Sequence, residues 1–408
     1  MSTVYLHHIG LLATPEGSAP HAGAAQGTLR LRKNAAVLCD GGRIVRIWEG
    51  PHEAPAAAKT VDAGGGLVTP GLCDCHTHLV FGGWRQHEVP LKLRGASYLE
   101  ILQAGGGILD TVRHTRGASE EELFRRSAGF LDEMLALGVT SAELKSGYGL
   151  DLGAELKQLR VIRRLRETRG QELAATFLGA HAVPPEFAGR AEEYLDKLCG
   201  RVLPAVAEQG LAEYCDVFCE TGVFDAAQSR RVLETARALG LGLKIHADEI
   251  DAIGGTALAG ELGAASAEHL IAADDGGIAA LAAGGVVAAL LPATSFYLNK
   301  SYARARDMVS AGVPVAVASD FNPGSCPSLN LQLCMNLAYL KYRLTPAEVL
   351  TAVTLNAACA MGRGPLCGTV EEGKRADLVV WDAEDLESLC YRFGSNLART
   401  VICKGEIV

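Results

Sequence analysis

The sequence predicts an α/β protein, a (β/α)8 TIM-like barrel with a small β-sandwich domain built from both chain ends. From about residue 67, short apolar runs alternate with longer amphipathic segments, which is typical of parallel strands joined by crossover helices. Short β-like segments occur before that residue and again near the C-terminus. The length of 408 residues allows one barrel of roughly 250 residues with a small appended domain.

Eight apolar runs are strand candidates, which is the number that a closed barrel needs. They are residues 71–75, 139–144, 174–179, 215–219, 242–245, 265–268, 286–291 and 313–318. Amphipathic segments between them predict helices, for example at 154–165, 226–239 and 303–311. The longest apolar stretch, 278–291, is interrupted by two glycines and is short for a membrane span, so no membrane association is expected.

Strand-like segments at both chain ends predict the small domain. Arg43 to Ile47 follows a Gly-Gly turn and is dominated by β-branched residues. Lys374 to Trp381 and Thr400 to Cys403 have the same character, and we expect them to pair with the N-terminal strands. The predicted limits are 1–66 and 366–408 for the small domain and 67–365 for the barrel.

The composition excludes several classes of protein. Hydrophobic residues at 49% and charged residues at 21% are the mixture of a folded globular chain. A net charge of -9 without clustered Lys and Arg argues against nucleic-acid binding, which depends on neutralising phosphates. The twelve cysteines are scattered and no signal segment is evident at the start, so reduced thiols and a cytoplasmic location are expected.

Histidines recur where predicted strands end, which is where such barrels place their active sites. These histidines are His76, His78, His181, His246 and His269, and Asp320 follows the last strand. Alternate residues of a strand share one face, so His76 and His78 can bind the same ion, with His246 and Asp320 as further ligands. Taken singly, two exposed histidines, a hydrogen-bonded core histidine and a helix cap would explain these residues; their joint occurrence favours an open metal site.

The segment from Pro70 to His78 resembles the opening signature of the amidohydrolase superfamily. Five further segments together resemble the imidazolonepropionase family within it, namely 81–85, 145–149, 179–181, 244–251 and 319–325. This resemblance implies hydrolysis of the cyclic amide of 4-imidazolone-5-propanoate to N-formimidoyl-L-glutamate in histidine degradation. It also implies a homodimer and one Zn²⁺ or Fe³⁺ per subunit, which would activate the attacking water.

The resemblance also implies roles for residues around the ion. Asp320, His269 and Glu249 are the candidates for proton transfer, and the sequence leaves open which of them acts. The propanoate tail would meet Arg85, whose planar guanidinium suits a carboxylate. The implied substrate-contacting residues are Arg85, Tyr148, His181, Glu249, Asn322, Gly324 and Ser325.

Two other functions are compatible with the same metal ligands. A single-metal deaminase acting on guanine or a related ring is the first, and Arg85 with the 322–325 loop argues for a carboxylate-bearing substrate instead. A barrel without catalysis is the second, and the complete ligand set argues against it. The fourth predicted strand, 215–219, carries no lysine, so we expect one ion rather than two bridged by a modified lysine.

Overall fold

The computed structural model describes residues 3–57, 59–95 and 106–408. Its strands are β1 Val4–Thr14, β2 Arg30–Asp40, β3 Arg43–Glu49, β4 Lys59–Asp62, β5 Leu67–Pro70, β6 Leu72–Asp74, β7 Val139–Lys145, β8 Glu172–Ala180, β9 Tyr214–Cys219, β10 Gly242–Ala247, β11 Ser266–His269, β12 Val287–Leu290, β13 Val315–Val317, β14 Leu378–Trp381, β15 Ala398–Cys403 and β16 Glu406–Ile407. They form two sheets, one of which builds the barrel.

The α-helices lie mainly between the barrel strands. They are α1 Val89–Leu93, α2 Ile108–Gly117, α3 Glu120–Ala136, α4 Leu152–Thr168, α5 Ala191–Lys197, α6 Leu203–Glu208, α7 Ala226–Ala238, α8 Gly255–Leu262, α9 Asp275–Gly284, α10 Pro292–Tyr297, α11 Ala305–Ser310, α12 Leu331–Leu337, α13 Pro346–Ala352, α14 Leu355–Ala360 and α15 Leu386–Tyr391. No described helix has both the length and the apolar character needed to cross a bilayer.

The barrel consists of the eight parallel strands β6 to β13, which neighbour one another in chain order. Its first and last strands meet just past their ends, where Thr77 and Phe321 form a parallel bridge. At this seam the amide of Asp320 donates to the carbonyl of His76 at 3.0 Å, and the amide of His78 donates to the carbonyl of Phe321 at 2.9 Å. All eight predicted strands are confirmed, and the seam places the His76 and Asp320 segments side by side.

The spacing of apolar residues and the capping residues explain why the helices around the barrel form. Helix α4 buries Leu159, Ile162 and Leu165 at helical spacing against the barrel. Helices α3 and α7 each begin with a capping box, at Ser119 and Asp225 respectively. The predicted helices at 154–165, 226–239 and 303–311 are confirmed as α4, α7 and α11.

The small domain is built from both chain ends, as predicted, and its strands belong to one hydrogen-bonded sheet. The strand order is β16-β15-β14-β5-β1-β2-β3, with β4 paired to β1. Strand β14 joins the two ends by pairing antiparallel with β5, Leu378 lying opposite Pro70. The predicted domain limits stay a prediction.

The predicted strand from residue 374 was wrong for its first four residues, because β14 begins at Leu378. A turn at Gly373, with φ of 94°, precedes them. The ammonium group of Lys374 donates to the carbonyl of Gly364 at 2.8 Å, and Arg375 pairs with Asp377 at 2.7 Å. The segment still meets the start of β3 at one point, where Arg375 forms an isolated antiparallel bridge with Arg43, but it is not a continuous strand.

Candidate active site

The polar centre of the barrel lies at the carboxyl ends of its strands. The Nε2 atom of His78 lies 3.3 Å from Nε2 of both His76 and His246. The Oδ1 atom of Asp320 lies 3.6 Å from Nε2 of His76 and 3.4 Å from Nε2 of His78. The structure therefore brings all four predicted metal ligands to one point.

These separations fit one metal ion. Ligand atoms about 2.1 Å from a tetrahedral ion stand about 3.4 Å apart, which is close to the four separations given above. All four side chains are buried. Three imidazoles with one carboxylate form a donor set that suits zinc or iron. Two groups of ligand atoms, each within 4.8 Å of one another, share His76: His76 with His78 and His246, and His76 with His269 and Asp320.

The protonation of two of the three candidate histidine ligands, His76 and His78, suits metal binding. Burial lowers the pKa of His76, His78 and His181 well below the usual value, so their rings are neutral, which is the ligating form. Burial alone would also lower the pKa of His246, but the carboxylate of Asp216 outweighs it and the net shift is upward. Nδ1 of His246 lies 2.9 Å from Oδ2 of Asp216.

Asp320 is presented by a tight loop after β13. Its φ of 56° lies in the left-handed region, and its Oδ2 accepts a hydrogen bond from the hydroxyl of Thr294 at 2.5 Å. The side chain of Asn322 organises this loop, because its amide nitrogen donates to the carbonyl of Asp320 at 2.7 Å. Its oxygen accepts from the backbone amides of Gly324 at 2.9 Å and Ser325 at 2.7 Å.

Arg85 packs against the same loop. A Cβ atom added at Gly324 would lie 2.1 Å from one terminal nitrogen of Arg85, so a side chain at this position would displace the guanidinium. The Nε and the other terminal nitrogen of Arg85 donate to the carboxylate of Glu88 at 2.8 and 3.1 Å. Glu88 is fully buried, which fixes the orientation of the guanidinium.

Tyr148 and His181 lie beside the four predicted metal ligands His76, His78, His246 and Asp320, which we call the ligand cluster. The ring of His181 stacks on that of His78 with centroids 5.0 Å apart, and Tyr148 lies 5.3 Å from His181. The loop that carries Tyr148 is tied down by the buried carboxylate of Glu155, which accepts the amides of Gly149 and Leu150 at 2.8 Å each. Burial raises the pKa of Tyr148, so its hydroxyl stays protonated.

His269 and Glu249 lie on the opposite side of the cluster. Nε2 of His269 is 3.7 Å from Oε2 of Glu249, and its ring centroid is 5.3 Å from that of His246. Burial lowers the pKa of His269 to about 3, so the ring is neutral. Burial, together with the charge of Asp320, raises the pKa of Glu249 to about 7. Glu249 therefore titrates in a range where an acid or a base is useful.

The sequence reasoning missed several residues that hold this site together. Asp216, Thr294 and Glu88 each contact a predicted site residue and were not named. Asp216 could have been found, because it is a carboxylate inside an otherwise apolar strand. Thr294 and Glu88 lie in helical segments with no distinguishing pattern, so only the folded arrangement reveals them.

Solved structures of low identity share this fold. The N-isopropylammelide isopropylaminohydrolase from Burkholderia multivorans aligns with a TM-score of 0.72 and 21% identity, covering 100% of this chain and 98% of the other. An adenosine deaminase from Xanthomonas campestris with bound zinc aligns with a TM-score of 0.67 and 20% identity, covering 99% and 92%. At this identity the similarity establishes the barrel architecture.

Sequence comparison gives the family. The family model described as "Amidohydrolase family" matches residues 67–408. The imidazolonepropionase of Bacillus velezensis is 50% identical over 405 residues, which cover 99% of this chain and 96% of that protein. The imidazolonepropionase of Bacillus thuringiensis is 50% identical over 385 residues, covering 94% and 91%. The chain therefore belongs to the amidohydrolase family and, within it, to the imidazolonepropionase family.

Proposed function

We propose that this protein hydrolyses the cyclic amide of 4-imidazolone-5-propanoate to N-formimidoyl-L-glutamate, a step of histidine degradation. The observation that carries the proposal is 50% identity to an imidazolonepropionase over almost the whole of both chains. The site agrees with this activity, since a buried set of possible metal ligands stands beside a guanidinium and neutral hydrogen-bonding groups.

The proposed metal site holds one Zn²⁺ or Fe³⁺ between His76, His78, His246 and Asp320. When bound, such an ion lowers the pKa of water and polarises a carbonyl, so no protein nucleophile is needed. The single-ion proposal is supported by the absence of lysine from β9, the fourth barrel strand. Lys145 ends β7 and is engaged in ion pairs with Glu143 and Asp216.

The proposed proton path uses Asp320. A water adds to the amide carbon, Asp320 accepts its proton through Oδ1, and the same proton goes to the ring nitrogen as the carbon–nitrogen bond breaks. Thr294 holds the other carboxylate oxygen and keeps Oδ1 facing the ligand cluster. His269, being neutral, orients the water, and Glu249 hydrogen-bonds the ring nitrogens of the substrate.

The substrate carboxylate is proposed to lie near Arg85. Because Glu88 engages two nitrogens of its guanidinium, we propose the terminal nitrogen nearest Gly324 as the donor to the substrate carboxylate. Asn322 and Ser325 lie in the same loop as Gly324. Near Arg85, the hydroxyl of Tyr148 and the ring of His181, which stacks on His78, are the groups that we propose bind the imidazolone.

We also propose that the protein is a cytoplasmic homodimer. Tyr339, Leu340, Tyr391 and Phe393 are exposed apolar side chains on two neighbouring segments, which Asn336 links through a 2.7 Å hydrogen bond to the carbonyl of Cys390. Covering this patch with a second copy would remove it from water. Light scattering of the purified protein tests the dimer, and a monomeric mass at micromolar concentration would contradict it.

The activity is tested with purified, metal-loaded protein. Separate reactions receive 4-imidazolone-5-propanoate, guanine or a hydantoin, and the products are followed by chromatography. Formation of N-formimidoyl-L-glutamate from the first substrate alone is the expected result. Turnover of guanine with none of the imidazolone would reject the proposal in favour of a deaminase.

A further inference from the structure

A group of buried charges lies inside the barrel, beneath the ligand cluster. Glu143, Lys145, Asp216, Lys244 and Glu268 are all completely buried. The ammonium group of Lys145 lies 3.0 Å from Glu143 and 2.8 Å from Asp216, and Lys244 lies 3.0 Å from Glu143. Two lysines are therefore shared among carboxylates that have no access to solvent.

Such groups are a poor way to stabilise a protein core. Removing charges from water costs several kcal/mol per ion, and apolar residues of similar volume often serve as well or better. Their presence directly beneath a functional site suggests a role in that site. Asp216 and Glu268 each have an oxygen within 4.8 Å of a ring nitrogen of His246, and Asp216 makes the direct contact, at 2.9 Å.

Both carboxylate oxygens of Asp216 contact His246. Oδ2 lies 2.9 Å from Nδ1 of the ring, and Oδ1 accepts the backbone amide of His246 at 3.2 Å. Lys145 contacts Oδ2 from below, so the carboxylate is held between a cation and the imidazole. In the described part of the chain, the other two candidate histidine ligands have no carboxylate at Nδ1; their ion pairs with Asp320 run through Nε2.

We propose that Asp216, anchored by Lys145, is a positioning residue that keeps the proton of His246 on Nδ1 and so prepares its Nε2 lone pair for the metal ion. This inference rests on the proposed metal site. A carboxylate behind a ligating histidine fixes both the tautomer and the ring orientation, and its loss typically costs 10- to 100-fold in metal affinity. Lys145 acts one step further back, by fixing the position of Asp216.

The first test compares metal affinity in matched variants, measured by competition with a chromophoric chelator. Asp216→Asn keeps the shape of the side chain but can present an amide donor to Nδ1, which favours the wrong tautomer. Asp377→Asn is the control, because Asp377 is also a buried carboxylate paired with a cation, Arg375, but lies in the small-domain segment. We expect affinity to fall about 10- to 100-fold for the first and less than about twofold for the second.

The outcomes separate the inference from the proposed function. If the unchanged protein does not retain Zn²⁺ or Fe³⁺, the metal site itself is rejected. If it does, and folded Asp216→Asn binds the ion as tightly, the positioning role is rejected. Asp216→Glu retains the charge and should recover part of the lost affinity, which a purely steric effect at this position would not produce.

A second measurement needs no folded variant at position 216. Nitrogen NMR of the metal-free protein labelled with ¹⁵N-histidine reports the tautomer of each ring, and the signal of His246 is assigned by its loss in His246→Asn. We expect Nδ1 of His246 to carry a proton before any metal is added. A neutral ring protonated on Nε2 alone would overturn the inference.

Discussion

The two halves of the proposed site are built differently. The proposed metal side is presented by strand ends and the seam, where His76, His78, His246 and Asp320 converge with ligand atoms 3.3 to 3.6 Å apart. The proposed substrate side is carried by loops. The side-chain oxygens of Glu88, Glu155 and Asn322 accept hydrogen bonds that hold these loops in place. The proposed metal geometry therefore follows from the barrel itself, whereas the proposed substrate side depends on side chains that hold its loops in place.

Replacing a ligand should have the largest effect and should act on the metal side alone. We expect His246→Ala to lose the ion and to lower kcat/KM by about 1,000-fold or more, since several kcal/mol of charge stabilisation depend on the metal. Elemental analysis of the dialysed protein measures retention. An unchanged metal content would show that His246 is not a ligand.

Arg85→Lys should weaken substrate binding without changing the metal content. A lysine cannot reproduce the planar contact with Glu88 or aim a nitrogen past Gly324, so kcat/KM should fall by about 10- to 100-fold, mainly through KM. Steady-state kinetics and metal content are measured on the same sample. A variant with unaltered KM would remove Arg85 from the substrate site.

Gly324→Ala tests the same side of the site by placing a methyl group against the side chain of Arg85. The added methyl would lie 2.1 Å from the Arg85 guanidinium and should push it out of line, for which we expect about a 10-fold loss in kcat/KM. Gly276→Ala is the matched control, because its added methyl would have its closest neighbour at 3.4 Å. Equal kinetics for the two variants would contradict a spatial requirement at position 324.

The pH dependence should give the smallest effect and should sharpen the assignment of Glu249. Its raised pKa of about 7 means that the carboxylate is protonated below that pH and ionised above it. A bound cation favours the ionised form, so kcat/KM should rise with pH through a limb at or below about 7. Glu249→Gln should abolish this limb while metal content is kept. If the limb persists in Glu249→Gln, it arises from the titration of another group.

The sequence predicted the barrel well because its signals are local and repeated. Eight apolar runs, each followed by a polar residue or loop, identify strands whatever their neighbours are, and the histidines at their ends identify the polar face. The small domain was predicted less sharply, and Lys374 to Asp377 looked like a strand because a pattern of residue types does not show that the charges are paired with Gly364 and Asp377.

Within the proposed site, the sequence named residues that the fold brings together but not the residues that hold them in place. Asn322 was expected at the substrate, yet its side chain bonds within its own loop, which a motif cannot reveal. Asp216 is visible as a carboxylate within a predicted apolar strand, but its contacts with His246 and Lys145 join three different strands and are not visible in the sequence. Contacts between distant segments are what the sequence alone leaves undetermined.

The seam between Thr77 and Phe321 has a consequence for how the protein is made. The barrel closes only when a segment that follows the first barrel strand meets one that follows the last, and the small sheet needs β14 to pair with β5. During synthesis from the N-terminus, His76 and His78 leave the ribosome long before Asp320 exists. The proposed set of four ligands is therefore completed late in translation, and a chain truncated before the last strands would lack the pairing of β14 with β5.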